Sequence, residues 1–245
     1  MSRIDDRAND ELRPMQFHTD FLANALSSVL VECGKTRIIC AVSAVQGVPR
    51  WMQQQGVAGG WLTSEYQMLP AAGGGRKPRD VTAGRVNGRA QEIQRLIGRS
   101  LRAIVDLTKV GSNTIYVDCD VIDADGGTRC ASINGACVAL KLAFKKMFLE
   151  ERIRTIPIES SVAAVSVGIV DGTPMLDLCY PEDAGAAVDL NVVMTSENKF
   201  IEIQGTAEET PFSRDEMDAM LALAQKGIGE IVTEQEKALT VRGQD

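Results

Sequence analysis

Residues 120 to 135 read D-V-I-D-A-D-G-G-T-R-C-A-S-I-N-G, and no other stretch constrains the chain as tightly. Just upstream, Ile115, Val117, Cys119 and Val121 alternate with Tyr116, Asp118 and Asp120, the period of a strand. Downstream, Ala131, Ile133, Ala136, Val138, Ala139, Leu142 and Ala143 predict a largely buried helix. The strand must therefore turn within a few residues into a core helix. Gly126 and Gly127 permit a tight turn and close backbone approach, and Thr128 stands where a helix cap is expected. Free N–H groups, the positive end of a helix dipole, a hydroxyl and the Arg129 guanidinium then converge on one point, which is chemistry suited to phosphate. The same residues also suit an ordinary capped junction with a surface arginine, and local sequence does not choose. A P-loop is excluded, because its spacing and lysine are missing.

Composition narrows the class. The 245 residues are 24% charged and 44% hydrophobic, a globular balance with ample chain for a core. No apolar run reaches membrane-spanning length, and the first residues are too polar for a signal peptide. The six cysteines form no C-x-x-C pair and are expected to be free buried thiols in a reducing, cytoplasmic setting. His18 is the one histidine and is read as structural, so a metal should be held by oxygen ligands, which favours magnesium or manganese. The net charge is −7, yet residues 76 to 102 carry eight basic side chains against Asp80 and Glu92. A basic strip on an acidic chain suggests a localised polyanion site.

In chain order, Ser28–Val31 and Thr36–Val42 read as two strands around Gly34. The pattern returns from Ser166, suggesting two related halves. Val45 to Gly60 is expected to be a loop, and Trp61 to Tyr66 a strand. Gly73-Gly74-Gly75 followed by Arg76, Lys77 and Arg79 makes a basic loop, either plain solvated surface or a polyanion contact. A helix is expected over about Ala83 to Leu107, with Arg95, Arg99 and Arg102 opposite its apolar stripe and Arg89 on the flank of its buried face. Val188 to Met194 alternates as a strand, with Asp189 and Asn191 on one face. That face is either wet or, with Asp183, a seat for a hard cation. Ser213 to Glu216 is a capping box opening a last amphipathic helix, and the tail after Leu239 is polar.

Five runs carry a family resemblance: D-E-L-R-P (Asp10–Pro14), W-L-T-S-E-Y-Q-M-L-P (Trp61–Pro70), G-R-A-Q-E-I-Q-R-L-I-G-R-S-L-R (Gly88–Arg102), D-C-D-V-I-D-A-D-G-G-T-R (Asp118–Arg129) and V-D-L-N-V-V-M-T (Val188–Thr195). In this order they resemble the ribonuclease PH family of phosphorolytic 3′→5′ exoribonucleases across nearly the whole chain. The resemblance implies a single-domain α/β (α+β) fold of two related βαβα halves, about 1–155 and 156–245, with mixed sheets packed by helices. It implies a homo-hexameric ring, a trimer of dimers, acting on tRNA precursors and other structured RNA such as rRNA. Phosphate would be held by Arg89, Gly127, Thr128 and Arg129, and a metal by Asp183 and Asp189. Arg76, Lys77, Arg79, Arg95 and Arg99 are the candidate RNA contacts.

The chain departs from that family at two places. Gly59-Gly60-Trp61 lacks the usual lysine, and Ala71-Ala72 follows Pro70 where an arginine is common. Arg76, Lys77 and Arg79 remain; the phosphate chemistry is expected to be unaffected, and the changes bear instead on affinity for the body of tRNA. A non-catalytic ring subunit that binds RNA for a partner nuclease is the alternative. The presence of Arg89, Thr128, Arg129, Asp183 and Asp189 speaks against it. A hydrolytic exonuclease would favour a dense acidic two-metal cluster over an anion pocket.

Overall fold

The computed structural model describes residues 3–208 and 210–240; the expected polar tail beyond residue 240 lies outside them. The first sheet comprises β1 (Met15–Thr19), β2 (Ser27–Cys33), β3 (Thr36–Gln46), β4 (Trp61–Met68) and β5 (Asn113–Asp123). Its order is β1-β2-β3-β5-β4, antiparallel except for the β4–β5 pair. Helices α1 (Arg50–Gln55), α2 (Asp80–Ala83) and α3 (Gly88–Arg102) lie between β3 and β5 in the chain, and α4 (Thr128–Leu149) follows β5. The second sheet holds β6 (Val162–Val170), β7 (Thr173–Leu176), β8 (Val188–Thr195) and β9 (Phe200–Ala207), in the order β7-β6-β8-β9, antiparallel throughout. Helix α5 (Tyr180–Ala184) joins β7 to β8, and α6 (Arg214–Thr240) closes the described chain.

Helix α4 lies between the two sheets, which is why it has no polar stripe. Ile133, Leu140, Phe144 and Met147 are fully buried, in one core with Val31, Ile38 and Val42 of the first sheet and Val162, Ala164 and Val193 of the second. Ser132 is a buried polar residue on α4, donating to the Thr128 carbonyl at 2.8 Å; Asn134 is another, and it is satisfied. It donates to the Ala164 carbonyl at 2.9 Å and accepts from the Ala164 N–H at 2.7 Å, where β6 is not yet paired with β7. Helix α6 covers the second sheet's other face with Met220, Ala224, Ile228 and Ile231. Its capping box forms as expected, with the Ser213 N–H on Glu216 Oε2 at 2.6 Å and the Glu216 N–H on Ser213 Oγ at 3.2 Å.

Both expected hairpins form. In the first, Gly34 leads a two-residue turn between Cys33 and Thr36; in the second, Gly172 closes one between Val170 and Thr173. Two expectations are corrected. The segment from Val45 to Gly60 is not all loop: β3 runs to Gln46, and α1 carries a buried Met52 and sets Trp51 edge-on to Trp61 at 5.2 Å. The helix expected from Ala83 to Leu107 is shorter at both ends, spanning Gly88–Arg102 as α3. Gly84, at φ +67, ends α2; the Asn87 side chain then accepts from the Arg89 and Ala90 N–H groups and opens α3. Among the described residues no helix is long and apolar enough to cross a membrane.

Truncating Phe144 to alanine opens a cavity at the join of both sheets and is expected to cost about 3–5 kcal/mol in urea unfolding.

Candidate active site

The site is built around the β5–α4 turn. Gly126 and Gly127 have φ of +77 and +64, in the left-handed region that favours glycine. A Cβ on Gly126 would stand 2.7 Å from the Leu178 carbonyl oxygen and 2.8 Å from Tyr180 N, so the turn rests directly on the backbone entering α5. Gly127, not Thr128, is the helix cap. Thr128 is the first helical residue, and its Oγ1 accepts from the Tyr66 hydroxyl at 2.9 Å. That contact leaves the Thr128 proton free to donate, beside first-turn N–H groups that have no acceptor within the helix.

Arg129 is mostly buried, with 14% of its side chain exposed. Its Nη1 donates to Gln204 Oε1 at 2.8 Å and lies 3.4 Å from Glu92 Oε1, while Gln204 Nε2 donates to the same Glu92 oxygen at 3.1 Å. Arg89 is exposed at the start of α3. The charges of both arginines act on Asp183 in α5 and on Asp189 in β8, and the contacts of Gly126 with Leu178 and Tyr180 and of Cys130 with Asn191 set the α4 N-terminus against α5 and β8. Burial pushes both carboxyls up and the arginines oppose it. Asp189, with Asp183 as a like-charged neighbour, reaches about 6. The polar face of β8 is thus not wet but turned toward α4, where Asn191 Oδ1 accepts from Cys130 Sγ at 3.3 Å. Asp189 Oδ1 is buried with no hydrogen-bond partner.

The remaining candidates lie around α3. Lys77, Arg79 and Arg89 line one cleft with Tyr66 and Asp120; Arg95 and Arg99 line a second with Glu92 and Gln204. Arg76 is exposed nearby. Arg99 also forms a forked pair with Glu202, at 2.8 and 2.7 Å. Arg102 leaves the group expected to face outward: it donates to the Leu62 carbonyl at 3.0 Å and stacks over Trp61 at 5.1 Å. His18 sits away from this chemistry, exposed and 3.0 Å from Glu32. The cysteines are free and buried, as expected. Sequence reasoning missed the roles of Tyr66, Gln204, Arg13 and Asp177. For Tyr66 and Arg13 the signal was their place inside the quoted motif runs.

Residues 11–146 match the model of the 3′ exoribonuclease family, domain 1, and residues 160–227 match domain 2. The chain belongs to this family. Ribonuclease PH from Neisseria meningitidis serogroup C is 53% identical over 234 residues, covering 96% of each chain. Ribonuclease PH from Neisseria gonorrhoeae is 52% identical over 235 residues, again 96% of each. Among solved structures, rice Rrp46 aligns with a TM-score of 0.78 at 19% identity, covering 97% of this chain and all (100%) of that one. The Archaeoglobus fulgidus exosome with RNA bound to the active site aligns at 0.79 with 21% identity, covering 94% and 91%. These two likenesses show the fold. Before Trp61, Gly59 sits at φ +99, and a Cβ there would meet the Leu107 carbonyl oxygen at 2.5 Å.

The raised Asp189 carboxyl has a consequence for stability. The proton is favoured in the fold, so its contribution is whole below the usual 3.8 and is lost as pH rises through about 6. At pH 8 the charged form costs at most roughly 3 kcal/mol. Asp189→Asn is expected to be more stable than the parent at pH 8 in chelating buffer, with the gain vanishing toward pH 4. Guanidinium titrations at the two pH values check this.

Proposed function

We propose that this chain shortens RNA from the 3′ end by phosphorolysis, using inorganic phosphate as the attacking group. The observation that carries the reading is the α4 N-terminus of the first half lying against α5 and β8 of the second. The α4 N-terminus, Thr128, Arg129 and Arg89 supply positive charge and donors from the first half of the chain. Asp183 and Asp189 supply carboxylates from the second. The two names at 52–53% identity support the same reading.

Phosphate is itself the nucleophile, so the protein needs none. Arg89, Arg129, the Thr128 hydroxyl and the N–H groups around Gly127 hold it in line with the last phosphodiester. A phosphate oxygen bonds to the terminal phosphorus as the bond to the preceding 3′ oxygen breaks. The products are a nucleoside diphosphate and RNA shorter by one residue, and the reverse reaction adds a nucleotide. Gln204 and Glu92 keep Arg129 aimed before phosphate arrives.

The unpartnered Asp189 Oδ1 and the nearby Asp183 suit a hard divalent cation, magnesium or manganese. Two carboxylates leave the remaining positions to water and substrate phosphates, the usual way magnesium is held. When bound, the ion stabilises charge on the scissile phosphate and the leaving oxygen. Arg76, Lys77, Arg79, Arg95 and Arg99, on the clefts flanking α3, would carry the RNA backbone. The substrates are tRNA precursors and other structured RNA such as rRNA, the assembly is a homo-hexameric ring built as a trimer of dimers, and the compartment is the cytoplasm, in keeping with six buried free thiols.

Product analysis tests the reaction. A 3′-labelled tRNA precursor with magnesium should release nucleoside diphosphate only when phosphate is present, and sulfate should not replace it. Monophosphate released without phosphate would overturn the reading. Arg129→Ala should lower phosphate-dependent release by about 10²-fold or more, a loss of roughly 2.7 kcal/mol of transition-state stabilisation. Magnesium should raise the melting temperature of the parent and leave that of Asp189→Asn unmoved.

A further inference from the structure

The two segments that carry the site are tied together by a buried ion pair that itself touches neither phosphate nor RNA in the proposed reaction. Arg13 is 4% exposed and Asp177 is 4% exposed. The guanidinium grips the carboxylate with two bonds, Nε to Oδ2 at 2.9 Å and Nη2 to Oδ1 at 2.7 Å, and the Arg13 N–H adds a third to Oδ2 at 2.8 Å. The remaining arm, Nη1, donates to the Asp125 carbonyl at 2.6 Å, one residue before the double-glycine turn. A Cβ on Gly127 would come 2.8 Å from Arg13 Nη2, so the guanidinium lies against the turn itself. On the other side, Asp177 leads directly into Leu178, Cys179 and α5. Its backbone is held at φ +53, an unusual conformation for a side chain-bearing residue. Its N–H donates to the Ser166 carbonyl at 2.7 Å, and its own carbonyl accepts from Arg3 and Arg7 at 3.0 and 3.1 Å. Buried charges held this way cost desolvation, and Arg7 Nη1, 3.6 Å from Asp177 Oδ2, is a second and looser partner of the same carboxylate. Hydrophobic residues would hold the two segments together as well; a fork with a third arm also fixes their mutual orientation.

We infer that Arg13, through its fork on Asp177 and its bond to Asp125, is a positioning residue that sets the phosphate-binding turn against the segment carrying Asp183. Thr36 is the second brace of the same turn. Its Oγ1 donates to the Gly126 carbonyl at 2.8 Å and accepts from the Asp125 N–H at 2.9 Å. Thr36 lies on the exit of the β2–β3 hairpin, so a change there alters the turn and leaves the buried charge pair whole.

The inference rests on the phosphorolytic reading, and the test separates the two. Steady-state release of nucleoside diphosphate from a 3′-labelled RNA would be measured across phosphate concentrations for the parent, Arg13→Lys and Thr36→Val. Thermal melts with and without inorganic phosphate would be run alongside. Arg13→Lys keeps the charge and loses the fork. It should raise KM for phosphate at least 10-fold and abolish the phosphate-induced rise in melting temperature, while affinity for RNA measured without phosphate stays within 2-fold. Thr36→Val should move phosphate KM in the same direction. If Arg13→Lys does not fold, Thr36→Val decides: an unchanged phosphate KM overturns the inference. So does a folded Arg13→Lys that melts lower yet keeps parental phosphate KM and kcat, because the pair would then be structural only. A parent enzyme that releases no diphosphate with phosphate overturns the phosphorolytic reading itself, whatever the variants do.

Discussion

Burial of α4 on every side is the constraint from which the rest follows. A helix with sheets on both faces can expose only its ends, and its C-terminal end points away from the chemistry. Its N-terminus is therefore the one place where unsatisfied backbone donors meet solvent, and the double glycine shapes that place into a concave turn. The residues beside it are conscripted by packing. Tyr66 reaches it from β4 because α3 and α4 share a core with that strand, and Asp189 reaches it because the inner face of β8 lies on α4.

The electrostatics of the pocket are balanced, and the balance is uneven. Two arginines and a helix terminus face two carboxylates. Yet Asp189 keeps a pKa well above its usual range because burial and Asp183 outweigh the arginines. Such a group is poorly matched to its protein surroundings, which is the ground for the cation proposed above. Stability is spent here that the remainder of the core supplies, in a layer of side chains with no polar atom left over except Gln235 Oε1 among the described residues.

Sequence and structure agree where the signal is local or periodic. The glycine turn, the featureless α4, the alternation in β8 and the capping box at Ser213 were all legible, because each needs only neighbours within about one turn or two strand residues. The errors share a cause. The α3 helix is expected to begin at Ala83, but the left-handed Gly84 and the capping Asn87 amide delay its start to Gly88. The run of glutamines before Gly56 looked like a loop because the Trp51–Trp61 contact that anchors α1 has no sequence signature. Thr128 looked like a cap, but Gly127 took that position and freed the hydroxyl for Tyr66. Gln204 and Asp177 were illegible for the same reason: their partners are 75 and 164 residues away. Composition recorded the buried thiols but had no means of showing that Cys33 lies against Asp177 and Cys130 against Asn191.

The N-terminal arginines have a consequence for the order in which the molecule is made. Arg3 and Arg13 meet their carboxylates only in Glu182 and Asp177. A ribosome releases the first residues of the chain long before those partners exist. Until residues 177 to 189 are made, the turn lacks its brace and neither Asp183 nor Asp189 exists. The surroundings of the turn are complete only once the second sheet packs on α4 and the first residues of the chain meet Glu182 and Asp177.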